Sequence, residues 1–320
     1  MANLQSTSVT GTLNLSATTV CSGSTGYLWY NTTTNRLQYS YAGATAWSSG
    51  GAMIVARRAL AGAGTNTSAL AFGGVPTLSC TEAYNGTSWS TGGVLINGRR
   101  FLAGAGASNT AALAFGGYIG SRVSCTETYN GTSWASGGAL SVARYKLAGA
   151  GTNTSSLAMG GCSGFPVDTC VESYNGTSWS TKTGLITART SAAGAGVSNT
   201  ATLVFGGYGP TTFLLLSCTE SFNGTSWTAG GALITARRSL AGSGTNTAAL
   251  AFGGYTPTTV SCTETYNGTS WTSGCALITA RNQLAGAGTN TSALAFGGYV
   301  SPVSVTCTES YGAAVQVCTP

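Results

Sequence analysis

"LAGAGTNTSALAFGG" occupies Leu60 to Gly74 and is spelled again, letter for letter, from Leu284 to Gly298, with four diverged copies between them. Aligned on their closing Gly-Gly pairs, at 73/74, 116/117, 160/161, 206/207, 253/254 and 297/298, the copies recur every 43 to 47 residues. A repeat of this period reads as one supersecondary unit used many times. Each unit opens on an Ala-Arg or Gly-Arg step, at Arg57, Arg99, Arg144, Arg189, Arg237 and Arg281. A run of small residues follows, then an apolar stretch ending in Gly-Gly, a "CTE-x-Tyr" stretch and the turn "NGTSW".

Pieces such as "SALAFGG" and "SCTETYN" are short, alternate in side-chain character and end at Gly, Pro or Asn-Gly, which predicts strands. The Asn-Gly pairs at 85/86, 130/131, 175/176, 223/224 and 267/268 predict tight hairpins with positive φ at both central residues. Four strands per unit follow, named A to D from the first, and no helix is required. Units of this kind close most simply by radial repetition, an all-β β-propeller. Crowding at the axis of such a ring explains the opening words. "AGAG" supplies an innermost strand with almost no side chain, while Phe72, Phe115, Phe205, Phe252, Phe296 and the Trp of each unit fill the gaps between blades.

Gly-Gly after an apolar strand, then Tyr, then Trp, with an Arg ahead of the first strand, resembles the Kelch repeat over about Gly51 to Tyr311. The resemblance implies four-stranded blades and a protein- or ligand-binding role. Met159 where Phe is usual, Phe222 for Tyr, Val75 for Tyr and a short Tyr to Trp spacing depart from it.

The step from Trp to the next Arg is always ten residues, and Trp47 to Arg57 keeps it. Reading backward from Trp47, "YLWYN" aligns with a B strand, "RLQYSY" with a C strand and "LSATTVCSGSTG" with an A strand; "AAVQVC" near the C-terminus falls where the last D strand belongs. Seven blades are therefore favoured: a degenerate one over about 15-49, then repeats over about 51-93, 94-138, 139-183, 184-231, 232-275 and 276-320, with residues 1-14 as a segment that could dock elsewhere. The alternative is six blades, with the Trp47 strand closing the last one and residues 27 to 41 outside the ring.

Only 6% of residues are charged, the net charge is +6, and there is no histidine. The basic residues stand singly or in pairs along the chain, which does not indicate nucleic-acid binding. Neither a signal peptide nor a run long and apolar enough to span a bilayer is visible. Without histidine, Kelch-fold copper chemistry and Ser-His-Asp catalysis lack their imidazoles. Asp168 is the only Asp, so paired-carboxylate hydrolysis has few candidates. No metal, no cofactor and no enzymatic activity are expected.

Each repeat carries one aligned Glu: Glu82, Glu127, Glu172, Glu220, Glu264 and Glu309. With the six Arg they are expected to form structural ion pairs, which favour a unique register more than they add stability. Cys80, Cys125, Cys170, Cys218, Cys262 and Cys307 read as small buried hydrophobes in a reducing compartment, and Cys162 with Cys170 is the one conceivable bridge within a loop.

Between Gly-Gly and the aligned Cys lie five, seven, eight, ten, seven and eight residues, whereas Cys to Trp is fixed at nine. Length freedom is confined to the B–C loops, which share one face with the D–A connections. Their irregular residues are the binding candidates: Tyr118, Arg122, Phe165, Asp168, Tyr208, Phe213, Tyr255 and Tyr299. The stretch "GYLWYNTTTNRLQYS", residues 26 to 40, resembles hairpins of bacteriophage tail-fibre and other virion surface proteins. That resemblance implies a virion component, made in the host cytoplasm, contacting a host surface glycan or another virion protein, as a possible homo-oligomer in a larger assembly. The alternative is a cellular Kelch-type protein-binding module.

Overall fold

A computed structural model describes residues 25–31, 36–42, 45–164, 167–210 and 214–313. Among them every regular element is a strand. β1 (Thr25–Asn31) and β2 (Arg36–Ala42) pair with each other in a two-stranded sheet. β3 (Thr45–Ser49) pairs elsewhere. The first complete blade is β4 (Ala61–Gly64), β5 (Ala69–Phe72), β6 (Thr81–Tyr84) and β7 (Trp89–Thr91), joined in that order. Four more follow the same plan. They run from β8 (Ala103–Ser108) to β11 (Trp134–Gly137), β12 (Ala148–Gly151) to β15 (Trp179–Lys182), β16 (Ala193–Ser198) to β19 (Trp227–Gly230), and β20 (Ala241–Gly244) to β23 (Trp271–Gly274).

The sixth blade joins the two ends of the chain. β24 (Ala285–Gly288), β25 (Ala293–Phe296) and β28 (Thr308–Ala313) take β3 as their outer strand, with Trp47 opposite Tyr311 as Trp89 stands opposite Tyr84. A small hairpin, β26 (Tyr299–Val300) and β27 (Val303–Ser304), fills its B–C loop. Successive inner strands touch, and β24 touches β4, so the circle is closed.

The protein thus has six blades and not the favoured seven. The ten-residue step from Trp47 to Arg57 is real, because β3 leads into the first blade as every other outer strand leads into the next. The partner that completes its sheet lies some 260 residues away in sequence, so local alignment assigned it to a blade of its own. "YLWYN" and "RLQYSY" form only their own hairpin, and β3 fills the position expected for "AAVQVC". Residues 15–24 and 314–320, which carry the rest of those expectations, lie outside the described residues, as does the segment 1-14.

The hub shows why the inner strand is Gly-Ala. A Cβ on Gly104 would lie 2.7 Å from the Gly62 carbonyl oxygen of the preceding blade and 2.7 Å from the Phe72 ring, closer than packed atoms approach. Between blades, Trp134 sets its ring 4.9 Å from that of Phe72 in the preceding blade and donates its indole N–H to the Thr81 hydroxyl at 2.9 Å. Trp47, Trp89, Trp179 and Trp271 repeat the same hydrogen bond to a Thr of the neighbouring blade. Trp227 faces Val171 where the others find Thr, and donates instead to the Thr183 carbonyl at 3.0 Å.

The "NGTSW" turns are built differently from the expected hairpin. Only the Gly has positive φ, +97° at Gly86. Asn85 works through its side chain, Oδ1 accepting the amides of Thr87 and Ser88 at 2.9 Å each, the local capping for which Asn suits turns.

Candidate functional site

The six Arg and six Glu come together as six buried pairs, every Arg side chain 0% exposed. Arg57 reaches Glu82 at 2.6 Å and donates to the Cys80 carbonyl at 2.8 Å. The other face of each carboxylate caps the D–A loop: Glu82 accepts Ile54 N at 2.7 Å and Val55 N at 3.1 Å. One pair therefore holds both the blade and the connection entering it. Burial pushes the Arg57 and Arg281 guanidinium pKa values down, and their Glu partners oppose that shift.

The aligned cysteines are half-buried rather than buried, and three of their thiols take part in this network. Arg57 donates to the Cys80 sulfur at 3.0 Å, Arg144 to that of Cys170 at 2.7 Å and Arg189 to that of Cys218 at 3.0 Å. Cys162 and Cys170 are both free thiols, so the conceivable loop bridge is not formed. Cys275, in contrast, is disulfide-bonded, which does not fit the expectation of a uniformly reducing surrounding. It occupies the place of a Gly whose Cβ, in most other blades, would strike the next "NGTSW" turn, as at Gly93 against the Thr132 carbonyl at 2.1 Å. The sixth blade takes its outer strand from the other end of the chain, so no such turn joins β28 to β3 and a side chain is tolerated there.

At the start of each inner strand lies a feature that the sequence reading did not find. Ala59, Phe101, Lys146, Ser191, Ser239 and Gln283 all have positive φ, between 52° and 56°, a conformation that costs roughly 1 kcal/mol or more for a residue other than Gly. Each donates its backbone N–H to the carbonyl of the equivalent residue in the preceding blade, at 2.8 to 2.9 Å. Gln283 donates to Ser239 and Ala59 to Gln283, so six hydrogen bonds close a circle. Left-handed backbone at these positions turns each amide along the ring, and the ring leaves the side chains free to vary.

Inside this circle is a cavity of about 380 Å³, lined by the six residues, the first turns of the inner strands, Arg238, Tyr255, Asn282 and Tyr299. Outside it, the residue before each ring position bridges the residue after each Gly-Gly. These pairs are Arg58 with Val75, Arg100 with Tyr118, Tyr145 with Cys162, Thr190 with Tyr208, Arg238 with Tyr255 and Asn282 with Tyr299. Cations lie over the aromatic faces: Arg58 is 4.4 Å from the Tyr299 ring, Arg238 4.9 Å from Tyr208 and 5.0 Å from Tyr255, and Lys146 5.1 Å from Phe101.

Of the expected binding residues, Tyr208, Tyr255, Tyr299 and Tyr118 stand at this rim. Arg122 extends the same face by bridging Tyr118. Asp168 is spent within its own loop, its carboxylate accepting Ser163 N at 2.7 Å. Phe165 and Phe213 lie outside the described residues. The scatter of basic residues along the chain is misleading in space: Arg58, Arg100 and Arg238 occupy equivalent positions in three blades, and Lys146 of the ring and Arg122 of a B–C loop stand on the same face. The D–A loops of the same face carry exposed Ile54, Ile96, Ile186, Ile234 and Ile278, five loops of the six, 54 to 60% exposed.

No group of three metal-ligating side chains forms among the described residues, and none of their helices is long and apolar enough to cross a membrane, since there are none. Closed fold and open mouth together define the class: a six-bladed β-propeller with an axial cavity. A solved structure described as "Structure of YjhT", also a propeller, is similar over 84% of this chain and 99% of that one, with a TM-score of 0.69 and 13% sequence identity. At that identity the likeness is one of fold alone. No family model matches the chain, and no curated protein is similar to it in sequence; membership of the Kelch family or of a virion-protein family does not follow from them.

Proposed function

We propose that this chain is a non-enzymatic recognition module that binds a surface glycan or a partner protein through the face carrying its B–C loops. One observation carries the reading. The widest variation between blades, five to ten residues in the B–C loops and the residue types that flank them, is collected around one mouth, while the A–B loops on the opposite face differ by a single residue and the outer turns repeat. Rigid scaffolds present recognition residues in this way. Tyr, Ser, Asn and Gln around an axial cavity suit the stacking and hydrogen bonding of sugar rings.

The finer setting, a virion surface component facing a host envelope, rests on the resemblance of residues 26 to 40 to tail-fibre hairpins. The topology is consistent with it: β28 ends and β3 begins at the face opposite the mouth, so a tethered chain would present the mouth outward. Glycan-array and whole-cell binding by the purified protein tests the reading. Binding that is lost in Tyr208→Ala and Tyr255→Ala while a variant in an outer turn, Thr177→Ala, retains it is the expected result. Equal binding by all three would overturn it. Mass spectrometry of purified virions tests the setting separately.

A further inference from the structure

We propose that the axial mouth is an oxyanion site, taking the carboxylate or phosphate of a small acidic sugar against Lys146 and Arg238. The inference deepens the recognition reading above and rests on it for the face concerned.

The charge distribution carries it. Thirteen Lys and Arg face seven Asp and Glu in the sequence. Six of each sign are consumed in the buried pairs, and the seventh acid, Asp168, is capped by its own loop. Of the seven cations left over, five stand on the mouth face; Lys182 is on the outer strand β15 and Arg36 on β2. A face on which five cations meet a single carboxylate, Asp168, already hydrogen-bonded within its own loop, focuses a positive field on the cavity between.

Lys146 and Arg238 line that cavity directly. Both are held by aromatic rings rather than by acids, Lys146 over Phe101 and Tyr145, Arg238 over Tyr208 and Tyr255. Burial first, and then the Arg238 charge, push the Lys146 pKa down against the opposing effect of Cys162; an anion between two cations that line one cavity would relieve their repulsion. Most of the remaining lining is Gly, Ala and Leu of the inner strands, and Ser191, Ser239, Asn282 and Gln283 add groups suited to hydroxyls. Among these, Gln283 Oε1 is buried with no hydrogen-bond partner in the protein. A volume of about 380 Å³ lies at the small end of ligand pockets, room for a sugar unit or two.

Isothermal titration of the full chain with glucuronate, glucose 6-phosphate and glucose, at fixed ionic strength, tests this. The expected result is that at least one acidic probe binds at least tenfold more tightly than glucose, the two arms telling carboxylate from phosphate. Lys146→Gln and Arg238→Gln should each weaken that probe by about tenfold, a typical loss for one charge-assisted hydrogen bond, with near-ultraviolet circular dichroism and melting temperature unchanged. Acidic probes that bind no better than glucose, or not at all, or variants that bind like the parent, overturn the site. If glycan arrays or cells still bind through the Tyr-dependent face in that event, the recognition reading survives without it. If acidic sugars bind in solution while arrays and cells do not, the recognition reading falls and the anion site stands.

Discussion

At the scale of single residues, the unit that recurs is an Arg paired with a carboxylate, its fork also donating to backbone carbonyls in most blades and to a thiol in several. Arg237 donates to the Gly253, Thr235 and Ala251 carbonyls as well as to Glu264. Arg237→Met leaves Glu264 buried without its cation and is expected to cost about 3–5 kcal/mol in urea unfolding. Arg237→Lys keeps the charge, loses the fork and should fall between the two. Burial raises the Cys125 and Cys170 thiol pKa values above the ordinary range, with Arg99 and Arg144 acting against that shift. A raised pKa keeps the thiol protonated, so at pH 8 both should react with a disulfide reagent more slowly than in the unfolded chain; reaction at the unfolded rate would contradict this. The pairing of Arg with Glu was legible, since twelve of twenty charged residues obey the repeat. The cysteines were misjudged because composition cannot show a guanidinium aimed at sulfur.

At the scale of elements, sequence patterning was read correctly where a residue type has one physical reason to be present. The inner "AGAG" strands are such a case: Gly104→Ala forces a methyl group against the Gly62 carbonyl and the Phe72 ring and should cost about 1–3 kcal/mol through overpacking. Trp134→Phe keeps the ring but strands the Thr81 hydroxyl, costing about 1–3 kcal/mol; both losses are measurable by chemical denaturation. The "NGTSW" turn was located correctly and its mechanism was not, because Asn serves a turn either by its backbone or by its side chain and the dipeptide alone does not distinguish them. The mouth was half legible. Loop lengths pointed to Tyr118, Tyr208, Tyr255 and Tyr299, whereas Arg58, Arg100, Lys146 and Arg238 sit beside the repeat's Arg positions and look like local charge pairs until the blades are closed into a ring.

At the scale of the molecule, stability and site both depend on a closure made by an N-terminal strand. β3 completes the last blade, placing Trp47 between Tyr311 and Phe252, at 5.0 and 4.9 Å. Removing residues 1–44 leaves all six four-stranded sheets whole and should lower the thermal unfolding midpoint far less than a cut that takes β3. Removing residues 1–49 deletes that Trp and bares the edge of β28, at a cost of at least the 3–5 kcal/mol typical of a buried aromatic, so a much lower midpoint is expected. Blade number was the least legible property, since it depends on a pairing between chain ends that no local period encodes. The most direct measurement is a crystal structure of the full chain grown with glucuronate. Six sectors, with strand 45–49 beside strand 308–313 and the carboxylate in contact with Lys146 and Arg238, is the expected result; seven sectors, an open ring, or a uronate bound away from the axial mouth would contradict it.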